Sequence, residues 1–247
     1  MNMKKILYLT LGAAMLSLAS CQKIDNWDVP GARLYGNVID SYTGTNLAMD
    51  NNDWQIRIWD KTWEEMNPGT VAQYQSLAVM RDGVYNNTKL FPGTYNMLPY
   101  DGPFWPVDTV KGVVLGKETQ QDFTVTPYLQ VLNFNATLVG DTALTLTCTV
   151  KAPIITGLPN FYEVKGFLSL TTFCGNSNYI NFGDYNNLRK SINKSWASEV
   201  GTANSKDYTL GPYKVKSGYT YFVRIGANVN ALSRRYNYSE ILKVVVP

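Results

Sequence analysis

The chain has 247 residues, with 22 Lys and Arg against 19 Asp and Glu, and no histidine. The missing imidazole excludes a Ser-His-Asp triad, a Cys-His dyad and an ordinary zinc site, and the near balance of charge gives no clustered basic excess for nucleic acid. With 45% apolar residues, 17 Tyr and 6 Trp, the composition favours β-structure in a chain able to bury one large core or two smaller ones.

Residues 1–20 hold the parts of a secretory signal: Lys4 and Lys5, an apolar run over residues 6–18, then small residues before a cut. That run falls short of the roughly 20 residues needed to span a bilayer. Leu18-Ala19-Ser20-Cys21 resembles the lipobox of bacterial lipoproteins. The resemblance implies that Cys21 is acylated and becomes the first residue of the mature chain, tied to the membrane by a lipid. Two or three acyl chains anchor stably where one binds only marginally. Residues 21–30 read as a tether, and Gln22-Lys23-Ile24-Asp25 is similar to the export signals that send Bacteroidota lipoproteins to the outer face of the outer membrane. Loss of Lys4 and Lys5 with the leader leaves the two signs of charge almost equal.

From Ala32 the pattern alternates, with Leu34, Gly36 and Val38 on one side and Tyr35, Asn37 and Ile39 on the other, before a turn at Asp40-Ser41-Tyr42-Thr43-Gly44. The string Leu34-Tyr35-Gly36-Asn37-Val38-Ile39-Asp40 is similar to the first strand of carboxypeptidase-regulatory-like, transthyretin-like domains. Leu90-Phe91-Pro92-Gly93-Thr94-Tyr95 resembles their Pro-Gly turn, which feeds a strand through a buried tyrosine. The resemblance implies a sandwich over residues 31–126, with intervening strands predicted at 55–59, 74–80, 83–89, 108–115 and 120–125. Asp50-Asn51-Asn52-Asp53 reads as a turn, because it lacks the ligand spacing and fixed glycine of a calcium loop. Trp54, Ile56 and Ile58 share one strand face and Gln55, Arg57 and Trp59 the other. If the first set is core, Trp59 is exposed and Trp63 sits just beyond the strand. With Glu64 and Glu65 they make either a binding edge or a solvated turn with one capping Trp. Tyr100-Asp101-Gly102-Pro103-Phe104-Trp105-Pro106 places three aromatics and an acid in a segment that reads as a loop. Sugars stack apolar CH faces on aromatic rings. Phe104 or Trp105 is therefore a candidate platform, with Tyr100 beside it and Asp101 orienting hydroxyls; the competing reading is a loop folded back as a cap on the sandwich end.

Leu144 to Val150 alternate large apolar residues with threonine, as a half-buried strand does, and residues 161–172 predict another strand. Leu210-Gly211-Pro212-Tyr213, Ser217-Gly218-Tyr219-Thr220-Tyr221 and the closing stretch from Tyr238 resemble the turn, tyrosine corner and last strand of fibronectin type III or immunoglobulin-like domains. This implies a second sandwich over residues 127–247, in which Tyr219 and Tyr221 both compete for the corner. Residues 175–207 form an insertion in which Leu188, Ile192 and Trp196, after Asp184, fall at helical spacing and predict a short amphipathic helix. Tyr179, Tyr185 and Trp196 are expected to form a satellite core beneath it. Cys148 and Cys174 either pair as a disulfide, which an exported compartment permits, or stay as two buried thiols.

An all-β chain of two tandem β-sandwich domains, transthyretin-like then immunoglobulin-like, behind a lipobox, resembles an uncharacterised family of Bacteroidota outer-membrane lipoproteins. The resemblance implies association with SusC/SusD-type importers. No catalytic residue, metal or cofactor is expected, since the paired carboxylates of a histidine-free glycosidase need a cleft that small sandwiches lack. The expected function is that of a non-catalytic accessory protein on the outer membrane, facing the exterior, which captures glycan or peptide or docks on the transporter. The alternative is a structural scaffold of a surface assembly with no small ligand.

Overall fold

Strict alternation from Ala32 to Asp40 becomes a nine-residue strand, β1 (Ala32–Asp40), whose buried and half-exposed positions change at every step. The computed structural model describes residues 29–51, 53–70, 73–181, 183 and 185–247. The leader, Cys21, most of the tether and Asp184 lie outside the described residues. After β1 come β2 (Gln55–Asp60), helix α1 (Lys61–Met66), β3 (Gln75–Ala78), β4 (Val84–Leu90), β5 (Gly93–Tyr100), β6 (Val110–Leu115), β7 (Thr119–Gln120) and β8 (Phe123–Val125). They form two sheets, β4-β1-β7 with β8 also on β1, and β3-β2-β5-β6. β1 runs antiparallel to β4 and parallel to both β7 and β8. Gly36 is required here, because a Cβ would stand 2.1 Å from the carbonyl oxygen of Gln121.

Between these sheets lie Leu34, Val38, Trp54, Ile56, Ile58, Tyr85 and Met97, each at most 2% exposed. Each such aliphatic side chain contributes about 1.5–3 kcal/mol relative to exposure. Tyr95 is buried as its motif implies, and its hydroxyl donates to the Phe91 carbonyl at 3.1 Å. Helix α1 is an addition to the predicted elements. Asp60 caps it by accepting from the Trp63 amide at 3.0 Å, and Lys61 pairs with Glu65 one turn on.

The second sandwich contains β9 (Gln130–Val139), β10 (Ala143–Lys151), β11 (Phe161–Ser169), β12 (Arg189–Lys194), helix α2 (Trp196–Glu199), β13 (Ser205–Lys214), β14 (Thr220–Val229), β15 (Tyr236–Tyr238) and β16 (Leu242–Val245). One sheet is β13-β10-β9; the other is β12-β11-β14, with β15 and β16 successively on the outer edge of β14. Tyr221 takes the corner: it is 6% exposed and its hydroxyl accepts from the Lys216 amide at 3.2 Å, whereas Tyr219 is 48% exposed. Gly211-Pro212 is not a turn but a bulge within β13, opposite Leu144 and Leu146, with Gly211 at φ 107°.

The insertion departs from the predicted helix. Residues Tyr185–Leu188 form a 3-10 turn, Arg189–Lys194 pair with β11 as an edge strand, and only Trp196–Glu199 are helical. Leu188, Ile192 and Trp196 are spaced by four, which suits one face of a strand as well as a helix. The expected satellite cluster also divides. Tyr179 stacks on Tyr185 at 5.1 Å, while Trp196 stacks on Phe161 at 5.5 Å within the main core. Both remaining cysteines are free and buried. Cys148 sits in the second core and Cys174 in a separate small cluster with Phe167, Tyr236 and Tyr238, so of the two alternatives the structure takes the thiols.

Gly31–Pro247 is one compact unit because the two sandwiches share a bonded seam. Arg224, 2% exposed on β14, donates to the carbonyls of Met49 (3.0 Å), Cys174 (3.3 Å) and Ser239 (3.0 Å), with its guanidinium 3.9 Å from the Tyr238 ring centre. Asp50 accepts from the Ser177 amide and hydroxyl, Gln130 donates to Asp40 at 2.9 Å, and Asn237 donates to the Pro103 carbonyl at 2.9 Å. Asp50 and Asp53 of the predicted turn therefore belong to the seam, with Asp53 on Arg235 at 3.0 Å.

Candidate functional site

Seam formation decides the fate of the aromatic loop. Gly102 and Pro103 turn the chain inward, and a Cβ on Gly102 would stand 2.0 Å from the Phe104 ring. Phe104 is 4% exposed and meets Trp54 edge to face at 4.9 Å in the first core. Trp105 points the other way, packing on Tyr128 at 5.2 Å against the second core. Asp101 accepts a hydrogen bond from the Ser233 hydroxyl and lies 3.7 Å from Arg235. Of the platform expected at Phe104 or Trp105, Phe104 is buried and offers no face, Trp105 is half-buried against the second core, and Asp101 is engaged across the seam by Ser233 and Arg235. The physical reason is that a second apolar surface lies beside the loop, so Phe104 is buried in the first core and Trp105 is left half-buried against the second.

Tyr100 has a different position. It is the last residue of β5 and stands opposite Gln55 of β2, while Arg57 faces Leu98 and Trp59 faces Asn96 in the same ladder. Period two then places Tyr100, Leu98, Arg57 and Trp59 together on the outer face of the β3-β2-β5-β6 sheet. Trp54, Ile56 and Ile58 are the buried side of this strand, the first of the two cases the alternation left open. Arg57 lies 3.3 Å from the Tyr100 ring centre and 4.2 Å from that of Tyr74, a guanidinium held between two rings. Tyr74 is 46% exposed and the other rings are half-buried.

Trp59 is fixed from behind. Its indole N–H donates to Glu64 Oε2 at 2.8 Å, the same oxygen accepts from the Asn96 amide at 2.5 Å, and Asn96 accepts from the Gly112 amide at 3.0 Å. Helix α1 supplies Glu64 to this chain, and a half-buried Trp63. Past Tyr100 the face runs into a hollow of about 240 Å3 walled by Leu98, Tyr100, Asp101, Pro106 and the exposed Leu232. Two predicted residues, Trp59 and Tyr100, are thus brought onto one face. Arg57 and Tyr74 were missed, and the signal for Arg57 was its place two residues before Trp59 in an alternating strand.

Flat rings, a guanidinium with unused donors and a preorganised indole form a surface for stacking and hydrogen bonding. Among the described residues no group of three or more His, Cys, Asp or Glu is placed to hold a metal ion. No described helix is long and apolar enough to cross a membrane.

Two family models match in tandem. Residues 32–126 match the N-terminal domain of a protein family of unknown function, DUF3823, and residues 129–243 match its C-terminal domain. The chain belongs to the DUF3823 family. This is the kind of Bacteroidota family that the architecture resembles. Solved structures similar to the DUF3823 chain include a putative carbohydrate binding protein from Bacteroides uniformis, 21% identical with TM-score 0.71 over 87% of this chain and 99% of that one. A second Bacteroides uniformis DUF3823 protein is 22% identical with TM-score 0.69 over 88% and 100%. One from Parabacteroides merdae is 19% identical with TM-score 0.64 over 88% and 100%. These likenesses establish the shared fold. No curated protein matches the chain by sequence.

Proposed function

We propose that this DUF3823 protein is a non-catalytic accessory lipoprotein of an outer-membrane nutrient uptake system of the SusC/SusD type, anchored through Cys21 and capturing glycan on the outer face of its first sandwich. The observation that carries the glycan reading is the arrangement of Trp59, Arg57 and Tyr100 on one exposed sheet face. Rings in that setting take the CH faces of a sugar chain, and Arg57 offers N–H donors to ring and hydroxyl oxygens. Orientation of Trp59 by Glu64 and Asn96 lowers the entropy that stacking would otherwise cost. The name carried by one structural neighbour is compatible with this reading. The lipid anchor rests on the lipobox and the transporter on the family resemblance.

Affinity electrophoresis against a panel of plant and host polysaccharides tests capture. At least one glycan is expected to retard the protein, and Trp59→Ala and Tyr100→Ala are each expected to cost about 1–2 kcal/mol of affinity, while Trp105→Ala alters stability instead. No retardation by any glycan would leave the scaffold reading in place. For the anchor, Cys21→Ala is expected to move the protein from the membrane fraction to the soluble fraction. Recovery of a transporter pair on pull-down from solubilised membranes is expected, and recovery of the protein alone would remove the uptake assignment.

A further inference from the structure

Beside Arg224 the seam opens into a recess of about 380 Å3, lined by none of the residues of the Trp59 and Tyr100 face. Its walls combine Arg81 and Asp82 of the first sandwich with Phe222, Arg224, Glu240 and Lys243 of the second. Three cations, Arg81, Arg224 and Lys243, and two carboxylates, Asp82 and Glu240, therefore line one small space, three against two, which leaves an excess of one positive charge. Among the described residues none of the three is ion-paired. Arg81 donates to the Thr172 carbonyl and lies over the Phe173 ring at 4.8 Å. Arg224 hydrogen-bonds only carbonyls and lies against a ring, and its Nε has no partner; burial works against its charge, Asp50 nearby favours it, and Arg81 opposes it. The excess of positive charge in this space, with Arg224 buried and unpaired, favours a ligand that carries one negative charge. The remaining walls are mixed: Phe222, Ile241 and Ala48 are apolar, and Asp82 and Glu240 bring carboxylate acceptors.

We propose that this recess binds a uronic acid, a sugar whose ring carries a carboxylate. Arg81 and Lys243 take the carboxylate, with the charge of Arg224 behind them, as guanidinium and ammonium groups do. Phe222 takes the CH face of the ring, and Asp82 and Glu240 accept from its hydroxyls. A recess of this size sits near the lower end of small-ligand sites, roughly 300–1,000 Å3, and holds one sugar ring. A neutral hexose lacks the carboxylate that offsets the positive excess, and a bare inorganic anion lacks the ring and hydroxyls that Phe222, Asp82 and Glu240 meet. The site stands independently of capture at Trp59.

Calorimetric titration of the purified protein with galacturonate and glucuronate, beside galactose, glucose and sulfate, decides the matter. At least one uronate is expected to saturate a single site that the neutral sugars and sulfate do not fill. Arg81→Gln and Lys243→Glu are each expected to weaken it by roughly tenfold or more, and Trp59→Ala to leave it unchanged. Lys243 is exposed on β16, so its replacement tests the site without disturbing a core, and thermal melting confirms that each variant is folded. The proposal fails if neither uronate binds, if sulfate binds as tightly, if both charge variants keep wild-type affinity, or if Trp59→Ala abolishes binding.

Discussion

Asp53 lies in the seam with one carboxylate oxygen on Arg235 and the other without a partner, and burial pushes its carboxyl up to about 6 despite the guanidinium. The folded chain thus holds this proton over a range where the unfolded chain, at the ordinary value of 3.8, has released it. Its contribution to stability is present below about pH 4, declines as pH rises through the window to 6, and is flat above it, a change on the order of 3 kcal/mol. Urea midpoints measured from pH 4 to 7 are expected to show this decline relative to Asp53→Asn, which removes the proton; parallel curves for the two proteins would contradict it. The thiols give a second test at this scale. Burial pushes both Cys148 and Cys174 up to about 12, with Asp207 adding to the first and Asp50 to the second. Thiolate is therefore scarce at neutral pH. Both cysteines are expected to react with an aromatic disulfide reagent only in denaturant, and reductant is expected to leave the melting temperature unchanged.

At the scale of elements, the short segment between β5 and β6 joins two cores because Phe104 and Trp105 face opposite ways. Gly102 makes that possible, and Gly102→Ala drives a methyl into the Phe104 ring. A loss of about 1–3 kcal/mol is expected from the overpacking, measured by chemical denaturation, with glycan retardation intact if the strand face is undisturbed. This segment also marks the border of what a single sequence discloses. Alternation put Trp54, Ile56 and Ile58 on one face and Arg57 and Trp59 on the other, because strand faces follow a local period of two, and the structure makes the first face core. The buried Tyr95 was legible from its resemblance to a Pro-Gly turn motif, while the corner was legible only as a choice between Tyr219 and Tyr221, which the structure gives to Tyr221. The ladder that sets Tyr100 opposite Gln55 is a long-range register, and the surface that Trp105 packs against belongs to another domain. Neither leaves a local trace. The strand β12 was misread because a spacing of four fits both periods.

For the molecule as a whole, the seam replaces a linker. Polar groups of both sandwiches are buried against each other, most of them hydrogen-bonded although Asp53 Oδ2, Arg224 Nε and Arg235 Nε have no partner, and Arg224 serves three carbonyls at once. Removing it strands those acceptors, so Arg224→Ala is expected to cost about 3 kcal/mol. Scanning calorimetry is expected to show one transition in the wild type and two in the variant; a single sharp transition in both would mean the sandwiches are coupled by other contacts. One consequence of the topology is mechanical. β1 is the first strand after Gly31 and lies inside its sheet, antiparallel to β4 and parallel to β7 and β8. Tension applied between Gly31 and the far terminus draws β1 and β8 in opposite directions along their length. The load falls on their hydrogen bonds together, in shear, and does not open them one at a time like a zip. Such a chain resists extension from its N-terminal end far better than it would if β1 were the last strand of a hairpin.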